Sequence, residues 1–99
     1  MAILHLLQQH PKDGNLTACL RCCGSSDAIV LLEDAVYALI DDTENNQRWR
    51  TIVNNMPIYA LKPHLHERGL QRLRLRNHKI IDMAALVDLT ATYSNSISW

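Results

Sequence analysis

The stretch "SSDAIVLLED", residues 25–34, decides the fold. At its centre, Ala28 to Leu32 form a short unbroken apolar run that stops at Glu33 and Asp34. A strand needs such a run when both of its faces are covered, as inside a parallel sheet. Working outward, Ala2 to Leu7 reads as an earlier buried strand, closed by the turn Pro11-Lys12-Asp13-Gly14. Between the two runs, Leu16, Cys19, Leu20 and Cys23 follow helical spacing, with Asn15 as the expected N-cap and Gly24 as the expected stop.

The remainder of the chain continues the alternation. Ala35 to Ile40 is apolar and predicts a short helix, followed by the polar loop "DDTENN" (41–46). In "QRWRTIVNN" (47–55), Trp49, Ile52 and Val53 share one helical face. Met56 to Leu61 gives a third strand, and "KPHLHERG" (62–69) a helix with Pro63 in its first turn and Gly69 as its stop. Ile80 and Ile81 mark a fourth strand, and "DMAALVDLTATY" (82–93) a closing helix capped by Asp82. The tail "SNSISW" (94–99) is too short for its pattern to assign. Strands alternating with helices specify an α/β domain with a mainly parallel sheet.

With 99 residues the chain has room for a single domain spanning 1–99. Apolar residues at 47% and charged ones at 20% suit a folded protein and argue against disorder. A domain of this size buries a modest share of its surface, and these helices are too short and few to cover both faces of a parallel sheet. Part of that cover is expected from neighbouring subunits. The opening "MAILHLLQQHPKDG" lacks the basic leader of a secretory signal, and no stretch reaches the ~18 apolar residues of a membrane span. Three cysteines crowded into one segment do not form a disulfide framework, so the cytoplasm is the expected compartment.

Ten basic and ten acidic side chains cancel, which removes the electrostatic footprint of a nucleic-acid binder. Their distribution is uneven. Glu33, Asp34, Asp41, Asp42 and Glu44 make one acidic region, and Lys62, Arg68, Arg72, Arg74, Arg76 and Lys79 a basic one. Such segregation suits docking of other proteins in a fixed orientation. In the basic stretch Arg72–Arg76, arginines alternate with Leu73 and Leu75, so an extended chain would place the two kinds on opposite sides. A protein interface, a solvated face and an RNA stripe all fit, the last without any aromatic for base stacking.

All three cysteines fall in "NLTACLRCCG", residues 15–24. Cys19 and Cys22 have C-x-x-C spacing, but a redox pair wants its first cysteine at a helix N-terminus, and Cys19 lies about one turn inside. A zinc site would need His64 and His66 as its second pair, and their spacing is too tight. Cys19 and Cys23 read best as small buried apolar residues, Cys22 as incidental, and Cys19 as the one candidate for carrying sulfur. His5 reads as a hydrogen-bonded core or edge residue, and His64, His66 and His78 as solvated. No phosphate-binding glycine loop, nucleophile elbow or zinc-binding helix pattern occurs, and neither a metal nor a cofactor is expected.

Three stretches, "LLEDAVYALI" (31–40), "IYALKPHLHERGL" (58–70) and "IIDMAALVDLTATYSNSISW" (80–99), resemble the TusB/DsrH family, and "ILHLLQQHP" (3–11) is similar to that family's opening. The resemblance implies a three-layer α/β/α domain of the DsrE/F/H-like kind. It also implies assembly into a heterohexamer with two larger related chains, TusC/TusD-like or DsrF/DsrE-like, that feeds a TusE/DsrC-like sulfur acceptor. The main sulfur-accepting cysteine would lie on a partner, leaving this chain a non-catalytic or accessory subunit without membrane or direct tRNA contact. In Tus complexes the persulfide sulfur goes towards 2-thiolation of the tRNA wobble uridine. The alternative is a DsrH-like subunit of a sulfur-oxidation relay with Cys19 itself carrying sulfur. Cys19 matches a position where many members place a cysteine, whereas Cys22 and Cys23 match no family role. Ala35 stands where the family commonly has glycine. Expressed without companions, such a chain can form a homo-oligomer.

Overall fold

Residues 2–39, 55–70 and 78–99 are described by a computed structural model. Strands β1 (Ile3–Leu7), β2 (Ala28–Leu31), β3 (Ile58–Leu61), β4 (His78–Ile81) and β5 (Asn95–Ser98) form one sheet in the order β4-β3-β2-β1-β5. Every neighbouring pair is parallel, and His5 in β1 lies opposite both Ile29 of β2 and Ile97 of β5. Among the described residues the helices are α1 (Asn15–Cys22), α2 (Lys62–Glu67) and α3 (Met83–Thr92), with 3-10 segments at Pro11–Asp13 and Glu33–Leu39. The α/β class and the parallel sheet expected from the sequence are those of the structure.

The strand order fixes the layers. From β1 to β4 the chain steps in one direction, then returns across the sheet to lay β5 on the far side of β1. Crossovers of one hand put outward steps and return on opposite faces. Alternate strand residues divide accordingly. Leu7, Ile29, Leu31, Ile58 and Ala60 pack with Leu16, Cys19 and Leu20 of α1, with the Glu33–Leu39 segment and with Leu65 of α2. Leu4, Ala28, Val30 and Leu61 face the other way, against Leu86 and Leu89 of α3 and Tyr93. Among the described residues that second face has thin cover. No residue of α3 is fully buried, and Met83 and Val87 are 58% and 64% exposed.

Local signals hold with two corrections and one addition. Asp82 caps α3, its carboxylate accepting from the Ala85 N–H at 2.8 Å, and Pro63 sits in the first turn of α2 as expected. At α1, however, Asn15 is already helical. The cap is Gly14, whose φ of +88° turns the chain out of the preceding 3-10 segment and suits glycine. The helix expected over Ala35 to Ile40 is instead a 3-10 segment beginning at Glu33, with the Ala35 N–H bonded to the Leu32 carbonyl three residues back. The unassigned tail forms β5, held by pairing with β1 and by the Trp99 N–H on the Leu6 carbonyl.

Ala35 needs no glycine, because the sole non-glycine positive φ among the described residues is at Glu33 (+49°). The helix expected through Trp49, Ile52 and Val53 and the basic stretch Arg72–Arg76 lie outside the described residues. Among the described residues, no helix is long and apolar enough to cross a membrane.

Candidate functional site

Asp27 organises the amino ends of β1 and β2. The chain leaves α1 at Cys23 and turns tightly, the Asp27 N–H bonding the Gly24 carbonyl at 3.2 Å while the Gly24 N–H donates to the Asp27 carboxylate at 2.9 Å. An aspartate that closes a turn on its own backbone is a common device before a strand. Here the carboxylate is only 3% exposed and accepts two further bonds, from the Ile3 N–H at 2.9 Å and from His5 Nε2 at 2.8 Å. Burial works to raise its pKa, but the bonds from Gly24, His5 and Ile3 outweigh it and hold the carboxyl below its ordinary value.

His5 is the middle residue of β1, and the strand's alternation turns it into the face under α1. Its second ring nitrogen, Nδ1, receives the indole N–H of Trp99 at 3.1 Å. An indole nitrogen can only donate, so Nδ1 is the acceptor and the ring proton sits on Nε2, aimed at Asp27. His5 is thus fully buried and bonded at both nitrogens, the core role its strand position suggested.

The cysteines lie beside this line. Helical spacing puts Cys19 on the inner face of α1, leaves Cys23 half-buried at the helix end and exposes Cys22. The C-x-x-C spacing is therefore not the spatial pair; Cys23 Sγ is the one that meets Cys19 Sγ, at 3.8 Å. Cys19 is 0% exposed. Its hydrogen bond to Cys23, together with burial, pushes the Cys19 thiol well up, and the same bond lowers the pKa of Cys23 despite partial burial. Either sulfur can donate in this contact, and burial favours Cys19 as the one that keeps its proton. The site thus sets a buried thiol beside a more exposed one.

Ligand atoms of His5, Cys19 and Cys23 lie within 4.8 Å of one another, which is metal-binding proximity. Both ring nitrogens of His5 are occupied, however, so it offers the cysteines no free lone pair.

A second constellation lies where β2 and β3 end. Arg68 reaches Glu33 and Asp34 at 3.3 and 3.0 Å. The Glu33 N–H donates to His64 Nδ1 at 2.8 Å, and its carboxylate lies 3.3 Å from His64 Nε2. This corrects one expectation: His64 is a bonded residue and not a free solvated one. It also removes His64 as a ligand to pair with the cysteines. Arg68 pairs with Glu33 and Asp34 within the chain, and both carboxylates stay more than half exposed.

Asp27 and Trp99 were not marked as site residues by their pattern. The Gly24-x-x-Asp27 turn before an apolar strand was a usable signal for Asp27. Trp99 had none, since its contact with His5 spans 94 positions.

Comparison with known proteins gives a consistent picture. The family model described as DsrH like protein matches residues 11–96. The chain is 29% identical over 97 residues to Protein TusB of Pectobacterium parmentieri, covering 98% of this chain and 100% of that one. Against Protein TusB of Shigella flexneri it is 33% identical over 99 residues, and against that of Escherichia coli O1:K1 35% over 100 residues, with the same coverage. The crystal structure of the ychN protein from E. coli superposes with a TM-score of 0.78 at 19% identity, covering 100% of this chain and 99% of that one, a likeness of fold.

Proposed function

The chain belongs to the DsrH-like family, and on that premise we propose that it is a non-catalytic or accessory subunit of a TusBCD-like complex relaying persulfide sulfur for 2-thiolation of the tRNA wobble uridine. Its partners are TusC- and TusD-like chains, one of which carries the main sulfur-accepting cysteine, with a TusE-like protein downstream. A cytoplasmic setting goes with this role.

One observation carries the architectural part. Among the described residues, the sheet face opposite α1 is covered by one helix that itself buries no residue completely, with Met83 and Val87 exposed one turn apart. Apolar side chains at i and i+4 on an outer helix face gain most when a second protein removes them from water.

Co-expression with TusC- and TusD-like chains tests the reading. The expected result is a stable complex that elutes as one species and restores wobble-uridine 2-thiolation to cells lacking the endogenous subunit. A chain that remains monomeric beside those partners, or a complex whose thiolation is unaffected by its removal, would overturn it.

A further inference from the structure

We propose that Cys23 and Cys19 form a working dithiol, in which Cys23 accepts sulfane sulfur from a persulfide donor and Cys19 is its resolving thiol. The donor class rests on the sulfur-relay reading above; the pairing of the two thiols does not.

The geometry assigns the order of events. Cys23 stands half-buried at the end of α1 while Cys19 is enclosed in the core, so an incoming donor meets Cys23 first. The sulfurs are 3.8 Å apart, close to van der Waals contact and near enough to share a hydrogen. That bond favours the thiolate at Cys23, and the thiolate is the form that attacks. Behind the pair, Asp27 and Trp99 hold His5, so the imidazole has no lone pair left to take part.

Two balanced steps follow. The Cys23 thiolate attacks the outer sulfur of a persulfide, RS–SH; the RS–S bond breaks, a Cys23 Sγ–S bond forms, and RS⁻ leaves. Cys19 then attacks Sγ of Cys23. The Sγ–Sγ bond forms, the terminal sulfur departs as hydrosulfide, and the Cys19 proton leaves with it as hydrogen sulfide. The two thiol sulfurs are oxidised to a disulfide and the sulfane sulfur is reduced to sulfide, so no other oxidant is required. In a regular helix, Cβ atoms four residues apart lie roughly 5–6 Å from each other, against about 3.8 Å in a disulfide. Closure therefore has to draw in the end of α1. Cys23 can yield because it is already outside the helix, with φ −71° and ψ 131°. The strain makes the bond easy for a dithiol reductant to reopen.

The test treats the full-length chain with glutathione persulfide and maps the products by mass spectrometry. The wild type is expected to lose two hydrogens across Cys19 and Cys23 and to release one sulfide per disulfide. Cys19→Ser is expected to retain an added sulfur on Cys23, and Cys22→Ser to behave as the wild type. Stable sulfur on Cys19 or Cys22 of the wild type, or no link between Cys19 and Cys23, would overturn the proposal. Should Cys19→Ser not fold, iodoacetamide labelling of the wild type decides: Cys23 must react faster than Cys22 although it is less exposed, and equal or slower labelling refutes its activation. Loss of complex formation with TusC- and TusD-like chains would defeat the relay reading while leaving this chemistry intact, so the two failures are distinguishable.

Discussion

The indole N–H of Trp99 donates to Nδ1 of His5 at 3.1 Å, so the last residue of the chain completes the hydrogen bonding of a histidine buried in the first strand. The bond ties β5 to β1 on the side of the sheet where α1 carries its cysteines, and it fixes which nitrogen of His5 faces Asp27.

Replacing Trp99 by phenylalanine keeps an aromatic ring but removes that donor. A buried acceptor left unpaired costs about 1–2 kcal/mol. Urea unfolding of Trp99→Phe should show a loss of that order with an unchanged slope. An unaltered midpoint would mean that the bond contributes nothing to holding β5.

Asp27 predicts acid sensitivity. Its folded pKa lies below the ordinary value of 3.8, so its contribution is complete above that value and is lost as the pH falls through the folded pKa. Unfolding free energy measured between pH 7 and pH 3 should therefore decline on the acid side for the wild type. Asp27→Asn retains one acceptor oxygen for three donors, so it should start about 2–3 kcal/mol lower at neutral pH and show a flatter acid limb. Parallel curves for the two proteins would rule out Asp27 as the source.

Met83→Lys and Val87→Lys place charge on the outer face of α3. Both side chains are more than half exposed, so each substitution should alter the isolated chain's stability by less than about 0.5 kcal/mol. Assembly with TusC- and TusD-like partners should weaken by about a hundredfold or more, because a charge is then buried against apolar surface. Size-exclusion chromatography with light scattering reads both proteins. Undisturbed assembly would locate the interface elsewhere.

Arg68→Met should cost no more than about 1 kcal/mol, and less at high salt. Arg68 itself is largely covered at 16% exposure, but its partners Glu33 and Asp34 are mostly in water, which screens the attraction. Thermal unfolding at low and high ionic strength provides the comparison. A large loss that ignores salt would instead point to packing of the arginine stem.

The sequence by itself determined what depends on neighbours along the chain. The unbroken run Ala28–Leu32, the helical spacing of Leu16, Cys19, Leu20 and Cys23, the Asp82 cap and the Pro63 helix start are local patterns, and the class of fold with nearly all its described elements follows from them. Tertiary structure decided what depends on distance in sequence. "SNSISW" is too short for its pattern to assign and becomes a strand because β1 offers an open edge. Helical spacing alone puts Cys19 and Cys23 on one stripe, but the burial of Cys19 and the exposure of Cys22 are decided by what packs on α1. His5 acquires both of its partners from far along the chain, 22 and 94 residues away, and no local pattern encodes such a meeting. A hydrogen bond between remote residues is a property of where the sheet places them, and that placement exists only once the strands have been ordered.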